Sequence, residues 1–148
     1  MSPRAGILWL ALGLAACGGS DAPGPRVVDG DERYRVTLDA RSPVSPDASG
    51  ELVLKIDTAE HWHVADEAPA RLVLSADDLE FAPAELGRDD VRNRHDSGFE
   101  FATAIRAERE GRRVAQAELT FGVCEEQVLM CEVVHAQLEL PVDVRFQP

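Results

Sequence analysis

Three cysteines carry the only soft nucleophiles in a chain of 148 residues. Cys124 and Cys131 lie close together near the C-terminus, with Glu125 to Met130 between them. Two thiols at that spacing have three chemical uses. They can close a disulfide that staples a hairpin, alternate between disulfide and dithiol as an exchange pair, or ligate a metal. A staple around so short a loop is worth roughly 2–3 kcal/mol in the chain-entropy model. The neighbours Glu125, Glu126 and Glu132 are acidic. Negative charge disfavours a thiolate, so the spacing and charge together fit a pair that waits as a disulfide better than an active oxidant.

The histidines offer less. His61 and His63 share a face if Trp62 sits in a strand, and with Met130 and the thiols they would form a soft copper(I) set. His61 and His63 are distant from the cysteines in sequence, so that set is the weaker expectation. His95, in the polar run Asn93 to Phe99, could supply or accept a proton during exchange. His135 falls on the polar face of the last strand. The acidic pairs Asp77–Asp78 and Asp89–Asp90 lack the ordered spacing of a calcium loop and read as solvated turns. There is no nucleophile elbow, zinc-protease helix or phosphate-cradling glycine loop, so nothing supports a hydrolase, and no cofactor is expected.

The third cysteine defines the compartment. Arg4 precedes an apolar run, Gly6 to Leu14, that is signal-core length and too short to span a bilayer. Leu14-Ala15-Ala16-Cys17 follows and looks like a bacterial lipobox. The expectation is cleavage of residues 1–16, acylation of Cys17 and stable anchoring through several acyl chains. Gly18 in place of an aspartate after the cysteine points to the outer membrane, facing the periplasm. Export puts Cys124 and Cys131 in an oxidising compartment, where a pair forms a disulfide. The formal charge of −12 repels phosphate backbones and makes nucleic acid an unsuitable partner.

Elements that position the cysteines follow from periodicity. Residues 17–30 (CGGSDAPGPRVVDG), rich in Gly, Pro and Asp, read as a flexible tether, and the folded domain is placed at residues 31–148. Tyr34–Ala40, Gly50–Ile56, Trp62–Val64, Arg71–Ser75 and Phe99–Ile105 alternate or form short apolar runs with turns between. The last two strands are clearest. Their apolar positions are odd-numbered from Ala115 to Val123 and even-numbered from Val134 to Phe146. Only Asp77 to Asp90 leaves room for a turn or two of helix. Seven to nine short strands predict an all-β sandwich. Cys124 is even and Cys131 is odd, so an unbulged hairpin turns both sulfurs to the outer face.

Phe121-Gly122-Val123-Cys124, a short loop, Cys131 and the alternating strand ending Leu140-Pro141-Val142 resemble the end of the N-terminal domain of the DsbD family of thiol–disulfide interchange proteins. Trp62-His63-Val64 with Glu67-Ala68-Pro69, and Phe81 to Gly87, resemble its middle, and the resemblance runs from Tyr34 to Phe146. It implies an immunoglobulin-like sandwich whose hairpin disulfide, Cys124 with Cys131, receives electrons from a thioredoxin-like or membrane-embedded partner and passes them on. It also implies a cap over the disulfide, for which the corresponding stretch offers His95 or Phe99. The loop between the cysteines is one residue longer than is usual in that family. A non-catalytic envelope module, in which the disulfide is only a staple, is the competing expectation.

Overall fold

The computed structural model describes residues 24–148, so Cys17, the leader and most of the tether lie outside the described residues. Eleven strands form two antiparallel sheets packed face to face. They are β1 (Arg26–Gly30), β2 (Tyr34–Arg41), β3 (Gly50–Thr58), β4 (Trp62–Val64), β5 (Arg71–Ser75), β6 (Glu80–Ala82), β7 (Glu85–Leu86), β8 (Arg92–His95), β9 (Gly98–Arg106), β10 (Gly111–Glu125) and β11 (Met130–Val144). One sheet runs β1-β2-β3-β9-β6, with β8 also on β9. The other runs β11-β10-β5-β7, with β4 also on β10. The all-β sandwich predicted from periodicity is the observed architecture.

Alternation explains the core. Val36 and Leu38 of β2, Leu52, Leu54 and Ile56 of β3, and Phe99, Phe101 and Ile105 of β9 face Ala115 to Val123 of β10 and Val134 to Val144 of β11. β2, β3, β5 and β11 bury alternate side chains, as a pleat with one covered face requires.

Two stretches differ from the expectation. Among the described residues, strand pairing begins at Arg26, inside the stretch expected to be tether. Val27 pairs with Thr37 and Asp29 with Val36 of β2, and Val28, at the register shift between them, packs against the core. The surrounding Gly, Pro and Asp had masked a five-residue edge strand. The stretch Asp77 to Asp90 holds β6 and β7, and a single 3-10 turn at Arg88–Asp90. Very short strands carry too few alternations to register as a period, and they raise the count from seven to nine up to eleven.

The two ends of the sandwich differ. One end, called distal here, gathers the β10–β11 turn, β4, the β8–β9 turn and the β1–β2 turn. There Arg33 donates to Glu132 at 2.6 Å and to Asp31 at 2.7 Å, joining the sheets. Asp31 is held below its ordinary range, first by the Arg33 side chain. Tyr34 sits beneath, donating its hydroxyl to Asp29 at 3.0 Å. Burial, then the Asp29 carboxylate, push the Tyr34 phenol up to about 12. The neutral form is thus the one the fold prefers. Its stabilisation is complete below the ordinary phenol range near pH 10 and is lost as pH rises from there to about 12. Tyr34 is the sole tyrosine, so ultraviolet titration of tyrosinate reads it alone. The expected midpoint is near 12, with a concurrent fall in urea midpoint that Tyr34→Phe removes. A midpoint near 10 would contradict the buried hydrogen bond.

Candidate functional site

The hairpin of β10 and β11 is paired without a register shift from Gly111–Val144 to Glu125–Met130, and this sets Cys124 directly opposite Cys131. Their sulfurs form a disulfide. The register also fixes the kind of pair. Gly122 accepts from the Ala65 amide, and the Glu126 amide donates to His61. Even-numbered β10 residues therefore turn their backbone groups toward β4 and away from β11. Cys124 and Cys131 occupy a non-hydrogen-bonded site, the type in which opposed side chains approach most closely, and their Cα atoms are 4.0 Å apart.

As the odd–even phase predicts, both cysteines lie on the outer face. Their exposure is nonetheless unequal. Cys124 is 6% exposed, whereas Cys131 is open to solvent. The cause is strand order. β10 is flanked by β4 and β11, and β11 is an edge strand. His63 stands opposite Cys124 on the β4 side, so His63, Cys124 and Cys131 form one row across the outer face. His63, distant from the cysteines in sequence, is thus brought beside Cys124. A three-residue strand of ambiguous period gave no way to foresee its pairing partner.

The two cap candidates take different positions. Phe99 is buried in the interior, edge-on to Phe101 and Phe121 at 5.5 and 6.0 Å between ring centres. It follows the odd phase of β9 and faces inward, opposite to the disulfide. His95 is exposed, with Nδ1 3.0 Å from the Ser97 hydroxyl. Its turn supports β4 from the other side, through the Val64 amide donating to Asp96 at 2.8 Å. The segment that covers the outer face instead is Ala65 to Ala68. A Cβ placed on Gly122 would collide with the Ala65 and Ala68 methyls. Arg94 and Arg88 hold this segment through the side chain and carbonyl of Asp66. A glycine two residues before Cys124 is the sequence signal for that close approach.

The acids beside the cysteines are partly compensated. Glu132 meets Arg33. Glu126 lies 3.9 Å from Nδ1 of His63, which itself neighbours Cys124. The turn between the strands exposes Val128, Leu129 and Met130, and Val133 follows Cys131 along the edge. Leu129 is 85% exposed. Exposed apolar side chains thus flank the accessible sulfur on both sides in sequence. Met130 and His61 are both exposed, and among the described residues no group of three or more His, Cys, Asp or Glu side chains is arranged to hold a metal ion.

Cys131 is thus the exposed member of the pair and Cys124 the buried one. No protein-family model and no curated protein matches the chain.

Proposed function

We propose that this chain is a lipid-anchored, periplasm-facing thiol–disulfide carrier that uses the Cys124–Cys131 pair, as the resemblance to the DsbD N-terminal domain implies. The supporting observation is the asymmetry of the disulfide: one sulfur is exposed on an edge strand between apolar side chains, and the other is covered. A partner thiolate attacks Sγ of Cys131. The Cys124–Cys131 bond breaks and its electron pair leaves on Cys124, giving a mixed disulfide through Cys131. The partner's second thiol then attacks its own sulfur in the mixed disulfide and releases Cys131. Two electrons and two protons pass from the partner's dithiol to this chain. His63 stands opposite Cys124 on β4, and a hydrogen-bond donor beside a departing sulfur favours its thiolate. The apolar tip at Val128, Leu129 and Met130 suits the apolar surface of a thioredoxin-like partner.

The test is the reduction potential of the pair, equilibrated against glutathione or dithiothreitol. The expected value lies between about −180 and −270 mV, the range of exchange proteins. A value below about −300 mV marks a structural bond and would return the domain to the competing reading, a stapled envelope module. The burial of Cys124 is the observation that favours that second reading. Anchoring is tested separately: the Cys17 peptide from membranes should carry acyl mass, and Cys17→Ser should release the protein.

A further inference from the structure

One groove toward the end of the sandwich remote from the disulfide differs in charge from the molecule as a whole. There Arg26, Arg112, Arg113 and Arg145 line one shallow groove with Val114, Pro141, Val142 and Asp143. Asp143 is the only carboxylate in it and is committed to Arg145 at 2.7 Å. The Arg113 guanidinium donates to the carbonyls of Arg109, Glu110 and Arg112, and among the described residues it makes no ion pair. Among the described residues neither Arg26 nor Arg112 makes an ion pair. Val114, between the arginines, is 54% exposed. A chain of formal charge −12 thus keeps a positive corner with an apolar centre.

The second observation is where the chain leaves the fold. The described residues start at Gly24, and β1 begins at Arg26, itself a wall of this groove. From Cys17 to Gly24 is seven residues, at most about 25 Å of extended chain. Any anchor at Cys17 therefore keeps this corner within about 25 Å of the bilayer and leaves the disulfide farther along the sandwich. β10 runs from this corner to Cys124, and its 15 residues span about 45 Å. That is several times the Debye length of about 10 Å at 0.1 M salt. The acids of the distal end are therefore screened from a surface that the arginines touch.

From this placement we infer that the Arg26–Arg112–Arg113–Arg145 corner docks on the headgroups of anionic phospholipids and points the Cys124–Cys131 hairpin away from the membrane. The inference shares the anchoring reading of Cys17 but not its assay. The probe is the chain from residue 17 onward with Cys17→Ser, which retains every described strand. It is floated with vesicles of phosphatidylcholine, alone or with phosphatidylglycerol. Each arginine at such a surface contributes about fivefold to partitioning.

The expected result is binding that needs phosphatidylglycerol and disappears at high salt. Arg26→Glu with Arg112→Glu should weaken it by about 25-fold or more, while Arg92→Glu, on β8 at the distal half, changes it less than about twofold. Circular dichroism of each variant confirms the fold, and Arg26→Gln with Arg112→Gln gives the loss of about 25-fold expected for removing two charges, less than the Glu pair gives. Three results would overturn the inference: no preference for phosphatidylglycerol, equal loss in Arg92→Glu, or an arginine-dependent dimer without vesicle binding. Acyl mass on Cys17 is read independently, so failure of the anchor and failure of the docking face are distinguishable.

Discussion

After reduction, Cys131 will be alkylated about a hundredfold faster than Cys124, because only Cys124 must wait for local opening costing about 3 kcal/mol. Cys131 lies on the edge strand and is open to solvent, whereas Cys124 lies between β4 and β11 at 6% exposure. To reach Cys124, an alkylating reagent must displace the His63 strand or the Ala65 to Ala68 segment. Limited labelling followed by peptide mass spectrometry gives the ratio directly. The same asymmetry predicts trapping. Cys124→Ser leaves the accessible thiol without its internal partner, so mixed disulfides through Cys131 persist. Cys131→Ser leaves only the covered thiol and traps little. Equal labelling of the two cysteines would mean that the hairpin opens once the bond is gone. The disulfide would then be a staple, and the carrier reading would lose its basis.

Much of this arrangement was legible in the chain. The odd phase of Ala115 to Val123 and the even phase of Val134 to Phe146 fixed the inward face of the hairpin. They also put both cysteines outside, because side-chain direction in a strand depends only on parity when no bulge intervenes. What parity does not encode is lateral order. Whether a strand is central or at an edge depends on which strands pair with it. The partner of Cys124 across β4 comes from His63, some sixty residues earlier in the chain. The inequality of the two sulfurs therefore became visible only with the sheet assembled. Phe99 shows the converse error. A resemblance suggested a cap, yet its own strand phase, shared with Phe101 and Ile105, already assigned it to the interior.

The acidic neighbours show a similar limit. Glu125, Glu126 and Glu132 read in sequence as one repulsive cluster around the thiols. Antiparallel pairing separates them. Glu132 takes the inward phase and meets Arg33 across the end of the sandwich, 99 positions away in sequence. Glu126 lies in the turn and faces His63. Local charge in sequence is a poor guide to the field at a sulfur when each acid is directed to a different side of a strand.

Phe121→Ala should cost about 3–5 kcal/mol, a large share of the 5–15 kcal/mol typical of a domain. Phe121 is 1% exposed and meets Tyr34 edge-on with ring centres 5.1 Å apart. It also contacts Phe99, so one side chain of β10 grips both β2 and β9 of the facing sheet. Truncation leaves a cavity that a close-packed interior fills only in part, and it removes two aromatic pairs worth about 0.5–1.5 kcal/mol each. Urea denaturation measures the loss. Phe101→Ala is the informative companion, since Phe101 is fully buried but sits farther along β9, opposite Leu54. Both substitutions should lower stability comparably. Only Phe121→Ala loosens the stem three residues before Cys124, so only it should narrow the gap in alkylation rate between Cys124 and Cys131. If Phe101→Ala narrowed that gap as much, protection of Cys124 would follow from global stability. If Phe121→Ala alone does so, the aromatic grip between the sheets is what keeps one sulfur of the pair covered while the other is offered to a partner.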